Sequence, residues 1–139
     1  MKVVFADMDG LVTLVLPLLL AKPKISQSNQ HEVFKTLKYG DIVLLGDKGL
    51  RSVEWSAFFP VNKIFYTFTE YNALLDGNEY VTFLNEHSES PFRLIITENN
   101  KTEINMLVVV DSFEYQKDKV GDINYTLKLQ EYPDNADRL

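Results

Sequence analysis

Cysteine is absent from the chain, and histidine occurs only twice, at His31 and His87. The first absence excludes a disulfide framework, a thiolate nucleophile and any zinc site built on sulfur. Neither histidine has an acidic neighbour at metal-ligand spacing, and no Ser-His-Asp or Glu-His set is recognisable. Basic residues are also in short supply. Lys and Arg total 14 against 20 Asp and Glu, for a formal net charge of −6. The longest basic grouping is Lys22-Pro23-Lys24, far short of the clustered charge that phosphate contacts require. Nucleic-acid binding through a basic face is therefore excluded, and the acidic surplus reads as a solvated surface.

Long hydrophobic runs are missing too. Leu11 to Leu20 comes nearest, interrupted by Thr13 and Pro17. A membrane-spanning helix needs about 20 apolar residues, so no membrane partner is expected. Asp7 and Asp9 precede the run where a signal peptide would place positive charge. The stretch reads as buried strand with a proline kink, and the chain as soluble and unprocessed. Glycine and proline are sparse at 6 and 5, so each one marks a specific place.

What remains is strand signal. Lys2 to Ala6 and Leu11 to Leu16 flank Asp9-Gly10, a hairpin signature because both residues tolerate positive φ. Pro17, Pro23 and Ser26 to Gln30 read as an extended polar connection. Val33 to Leu45 resumes strand character with a bend at Gly40-Asp41, and Gly46 to Gly49 reads as a turn. Val53, Trp55 and Ala57 then alternate with Ser52, Glu54 and Ser56, the period of a half-buried strand that Phe58-Phe59-Pro60 ends. A helix is predicted over Asp76 to Ser88, with Asp76 and Glu79 at capping-box spacing. Beyond Pro91 the chain alternates as strands. Arg93 to Thr97 leads to a turn at Asn99-Asn100-Lys101, and a long strand covers Ile104 to Gln116 with a phase slip near Asp111-Ser112. A turn spans Asp118 to Gly121, and Ile123, Tyr125, Leu127 and Leu129 line one face of a last strand.

The expected fold class is mainly β, an antiparallel sandwich or barrel of about seven or eight strands flanked by a single helix. At 139 residues, one domain over 1–132 with a short tail over 133–139 is expected.

Two motifs invite chemistry and lack its context. Asp7-Met8-Asp9-Gly10 resembles the nucleophile loop of haloacid-dehalogenase-type phosphatases, with Asp7 attacking phosphorus and Asp9 acting as acid and base. Leu11 stands where a threonine is usual, and the helices to cross a parallel sheet are missing, so the motif reads as a hairpin turn. Gly46-Asp47-Lys48-Gly49 has the spacing of an RNA-clamping loop, which belongs between helices and here lies between strands. No catalytic residue, cofactor or metal ligand is assigned, and the chain is not expected to be an enzyme.

Aromatic residues are the positive signal. Phe58, Phe59, Phe65, Tyr66, Phe68 and Tyr71 crowd one segment, divided between core and partner contact. Long strands with open edges point the same way, since assemblies resolve such edges by continuing the sheet into a neighbour.

Taken in order, Gly40-Asp41-Ile42-Val43-Leu44, Val53-Glu54-Trp55-Ser56-Ala57-Phe58-Phe59-Pro60, Glu79-Tyr80-Val81, Pro91-Phe92-Arg93, Ser112-Phe113-Glu114-Tyr115 and Gly121 to Tyr132 form a recognisable succession. It resembles the N-terminal domain of baseplate proteins of phages and PBSX-like defective prophages, where a peptidoglycan-binding LysM module often follows. Only a short tail follows Tyr132, so the module and its wall-binding role are not expected. The resemblance implies a tail-tube-like β-sandwich with one flanking helix, in a structural subunit of the virion tail baseplate made in the host bacterial cytoplasm. It implies a ring, six-fold by analogy, acting as tube initiator or adaptor beside hub and tail tube proteins, with DNA passing through the lumen without specific binding. Candidate assembly and packing residues are Trp55, Phe58, Phe59, Pro60, Phe113, Tyr115, Tyr125 and Tyr132, with Val33 to Leu45 and Ile104 to Gln116 as hairpin strands. A monomeric cell-wall or receptor-binding accessory module is the alternative, and the phosphatase a remote one.

Overall fold

The computed structural model describes residues 1–10, 12–29, 32–36, 40–44, 48–60 and 76–133, and at 28–29, 32–36, 40–44 and 48 it describes the backbone. Seven strands form one antiparallel sheet: β1 (Lys2–Ala6), β2 (Thr13–Val15), β3 (Lys24–Asn29), β6 (Lys48–Phe59), β7 (Phe92–Glu98), β8 (Lys101–Lys117) and β9 (Ile123–Glu131). Their order is β2-β1-β7-β8-β9-β6-β3, and β4 (Glu32–Thr36) with β5 (Gly40–Leu44) makes a separate two-stranded hairpin. The one described helix, α1, spans Asn78–Glu86. The expected mainly β architecture with a single helix is what the described residues adopt.

The sheet curls. β1 and β6 stand four strand spacings apart, about 19 Å along a flat sheet, yet the rings of Phe5 and Trp55 lie 6.2 Å apart. The two halves of the sheet thus face each other across one core, and the sandwich is a single sheet folded over on itself. Val3, Phe5, Val53, Trp55, Phe59, Phe92, Leu94, Ile96, Ile123, Tyr125, Leu127 and Leu129 fill it. Ile123, Tyr125, Leu127 and Leu129 of β9 are buried, as the alternation predicts.

Helix α1 plugs this core through one face. Phe83 stacks on Phe5 at 5.9 Å, Tyr80 stacks on Phe59 at 4.8 Å, and the Tyr80 hydroxyl donates to the Val15 carbonyl. The helix begins two residues later than predicted and ends two earlier. Asp76 lies outside it but still holds its first turn, because its carboxylate accepts the Asn78 N–H at 2.9 Å. Gly77 is required by space rather than by φ. A β-carbon there would sit 2.6 Å from the Pro60 carbonyl oxygen and 2.7 Å from Phe59 Cβ, and the Gly77 N–H donates to that same oxygen at 2.9 Å.

Turn chemistry sets the register on the β7–β8 side. Asn99 and Asn100 both take positive φ, at 52° and 64°, the conformation a two-residue hairpin turn demands. The phase slip near Asp111 is a register shift between Val110 and Ser112, which leaves Asp111 outside the ladder. At the far end, Asp118 Oδ1 accepts the N–H groups of Val120 and Asp122 at 3.0 Å each.

Three readings need correction. The β1–β2 connection is a six-residue loop over 7–12 rather than a two-residue Asp-Gly turn, closed by the Asp7 N–H on the Val12 carbonyl at 3.1 Å. Within it Gly10 takes a φ of 72°, and Asp9 does not enter the left-handed region. Ser26 to Asn29 is no mere connection, because Lys24–Asn29 pairs with β6 as an edge strand. Lys48 and Gly49, assigned to a turn, already belong to β6, while Gly46 and Asp47 lie outside the described residues. Phe65, Tyr66, Phe68 and Tyr71, His31 and the tail beyond Pro133 also lie outside them.

Candidate assembly interface

Strand β8 outruns its neighbour. Pairing with β7 begins at Lys101 and stops at Val108, whereas pairing with β9 continues from Val108 to Lys117. Among the described residues, Val109 to Lys117 therefore present backbone N–H and C=O groups with no ladder on one side. Six of the seven residues from Asp111 to Lys117 are exposed, Phe113 being half-buried. A row of unpaired backbone groups on an ordered strand is a template for another strand.

Side chains stiffen this overhang. Phe113 stacks on Tyr115 at 5.0 Å and meets Tyr125 edge-on at 6.3 Å. The bulge residue Asp111 reaches across to Lys128 at 3.6 Å, an exposed pair worth little in stability by itself.

A second open edge lies at the other end of the sheet. β3 bonds to β6 on one side, and Lys24, Ile25, Ser26 and Gln27 are all exposed. Sequence reading missed this edge because its residues are polar. Polar and lysine-bearing composition is also how edge strands are commonly built, so Lys24 and the lone apolar Ile25 were the available signal. The hairpin of β4 and β5 is inserted between β3 and β6 in chain order, with Glu32 opposite Leu44 and Thr36 opposite Gly40. The strand expected over Val33 to Leu45, with a bend at Gly40-Asp41, is instead two strands paired with each other as a hairpin.

The candidate residues divide into two groups. Trp55, Phe59, Pro60 and Tyr125 are buried in the core, with Phe58 packed half-buried against it. The Trp55 indole N–H donates to the Tyr125 hydroxyl at 2.8 Å, and Phe59 stacks on Tyr125 at 4.0 Å. Burial pushes the Tyr125 pKa well above the ordinary tyrosine range, opposed by the Trp55 hydrogen bond. Phe113, Tyr115 and Tyr132 reach the surface, Tyr115 at 48% and Tyr132 at 45% exposure. The geometry brings Phe113 and Tyr115 together on the overhang and leaves Tyr132 beyond the end of β9, its N–H on the Leu107 carbonyl at 2.8 Å.

The Asp7-to-Gly10 loop joins antiparallel strands, and no parallel pairing occurs among the described strands, so the parallel sheet of a dehalogenase-type phosphatase is not the scaffold here. No three His, Asp or Glu side chains among the described residues are placed to hold a metal ion. A cavity of about 430 Å³ under the Leu16–Lys22 segment is lined by Met1, Val3, Leu16, Leu18 and Leu19, with Lys22 as its one ionisable side chain. No helix among the described residues is long and apolar enough to cross a membrane.

Comparison with solved structures defines the fold class. The chain matches the virion of a native gene transfer agent particle with a TM-score of 0.61, covering 96% of this chain and 92% of that one at 15% identity. It matches the SPP1 tail tube with a TM-score of 0.55 over 95% and 73%, at 16% identity. The tail of the empty gene transfer agent particle, refined with C6 symmetry, gives 0.54 over 96% and 92%, at 15% identity. The protein has the fold of phage tail tube proteins. In sequence it is similar to the uncharacterized protein YqbP of Bacillus subtilis (strain 168), at 30% identity over 129 residues. That match covers 89% of this chain and 56% of YqbP, so the chain spans little more than half of the relative's length. No family model matches the sequence.

Proposed function

We propose that the protein is a structural subunit of a phage or phage-like tail, not an enzyme. Residues 1–132 act as one tail-tube-like domain, with 133–139 as a tail, in a ring at the tube end that initiates the tube or adapts it to the central hub. The observation that carries this reading is the match to tail particles over 96% of the chain. The mechanism is geometric. Each copy joins the next through strand edges that the isolated chain leaves open, so that ring closure removes them. Six copies is the number favoured, from the C6 symmetry of the matching gene transfer agent tail. DNA crosses the lumen without specific binding, consistent with a net charge of −6. Such a subunit is made in the host bacterium and resides in the virion tail, at its baseplate, beside hub and tail tube proteins.

Removing the β4–β5 hairpin tests this reading. Replacing 32–44 by a short Gly-containing turn spares all seven strands of the main sheet, so the variant is expected to keep its far-ultraviolet circular dichroism per strand residue. Its assembly, read by sedimentation velocity alone and with hub and tube proteins, is expected to be lost. A shortened chain that still enters rings as efficiently as the full one contradicts the role given to the hairpin. A chain that stays monomeric in every mixture and binds a cell-wall polymer instead supports an accessory module.

A further inference from the structure

Resting on that proposed ring, we infer that its joint pairs two particular edges: β3 of one copy, at Lys24 to Gln27, with the β8 overhang of the next, at Val109 to Lys117. These edges differ, so each copy offers one and accepts one. That is the head-to-tail contact a cyclic ring requires.

Face parity supports the match. Ile25 lies opposite Val53, which is fully buried and lies opposite Leu129, so Ile25 is on the core face of the sheet. Tyr115 lies opposite Tyr125, which lies opposite Ala57, on that same face. Both are half-exposed apolar side chains, Ile25 at 49% and Tyr115 at 48%. A sheet continued from copy to copy with its core faces aligned sets Ile25 beside Tyr115, an aliphatic–aromatic cross-strand pair.

Charge fits the same register. Lys24 lies opposite Glu54, and Glu114 lies opposite Thr126 and hence Ser56, so both project from the outer face. With Ile25 opposite Tyr115, Glu114 falls directly across from Lys24 if the strands run parallel, and one diagonal step away if antiparallel. A one-residue slip would place Ile25 on the face of Glu114 and lose both matches.

Within one copy β3 and the β8 overhang are not hydrogen-bonded neighbours, because β9 and β6 lie between them in the sheet.

Because the chain has no cysteine, a disulfide reports the joint directly. Cross-strand neighbours have Cα atoms about 4.5–5.5 Å apart, within disulfide reach. The full chain carrying both Ile25→Cys and Tyr115→Cys, oxidised after assembly alone or with hub and tube proteins, is expected to give a covalent ladder ending at ring size. Ile25→Cys alone and Tyr115→Cys alone should give only background dimer. In an independent arm, Lys24→Glu and Glu114→Lys should each weaken assembly about two- to fivefold per joint, the scale of a cross-strand charge pair, and together should restore it. Rings from the unaltered chain, with no ladder and no response to charge reversal, would overturn this joint while leaving the ring intact. Absence of any ring would overturn both.

Discussion

Replacing Phe59 with alanine is expected to lower the unfolding free energy by about 3–5 kcal/mol, as for large aromatic truncations in packed cores. Phe59 is fully buried and its ring lies stacked against Tyr80 at 4.8 Å and Tyr125 at 4.0 Å. Those two rings come from α1 and β9, so Phe59 is one of the contacts that hold the helix to the sheet, beside the Phe83–Phe5 stack. Its backbone is committed too, since a β-carbon at Gly77 would sit 3.0 Å from the Phe59 carbonyl carbon. Truncation removes both stacks at once, and the surrounding β-strands cannot collapse into the space without losing register. Urea unfolding followed by circular dichroism measures the effect, and a loss below about 1 kcal/mol would mean that the helix is held by other contacts. As domains are stable by only about 5–15 kcal/mol, such a loss is a large share of the total.

The second large effect concerns Tyr125 and alkali. Its raised pKa means that the folded protein keeps this proton at a pH where the unfolded chain has lost it. The sign follows from linkage. The contribution is fully present below the unfolded tyrosine value of about 10, and declines by about 1.4 kcal/mol per pH unit as pH rises above it. Tyr125→Phe abolishes that decline. At neutral pH the same change leaves the Trp55 indole N–H without its acceptor in a buried site, costing about 1–3 kcal/mol. The variant should therefore be less stable at pH 7, and the two denaturation midpoints should converge and cross at about one to two pH units above 10. Parallel curves over that range would show that Tyr125 is not the group governing the alkaline limb.

Much of the C-terminal half is legible from sequence because its signals are local. Asn99-Asn100 specifies a turn through its own backbone preference, Asp118 specifies the next by binding two nearby N–H groups, and the β9 alternation follows from a core on one side. Even the bulge at Asp111 shows as a break in period. The helix is legible for the same reason, through Asp76 and the spacing of Tyr80, Val81 and Leu84, although the core takes Phe83 rather than Val81 beside Tyr80 and Leu84.

The less legible parts depend on distant partners. β3 has no apolar period, because an edge strand of a curled sheet buries little, and it becomes a strand only through β6. Neither the curl nor the approach of Phe5 to Trp55 is written in any short segment. The same limit governed the interface. Aromatic residues drew attention to Trp55, Phe59 and Tyr125, which the core consumes, whereas the open edges at Lys24–Gln27 and Val109–Lys117 are defined by where neighbouring strands stop. Phe113 and Tyr115 enter through the family resemblance, and what sets them apart from the buried aromatics is the end of β7 at Phe92, opposite Val108.

The most direct test of the ring is the solution mass of the purified chain, alone and mixed with hub and tube proteins, with negative-stain images of each peak. The proposed subunit predicts an annular species near six times the 16.0 kDa chain, formed alone or on the hub. A 16.0 kDa monomer that persists in every mixture, with no annular particle, would contradict it.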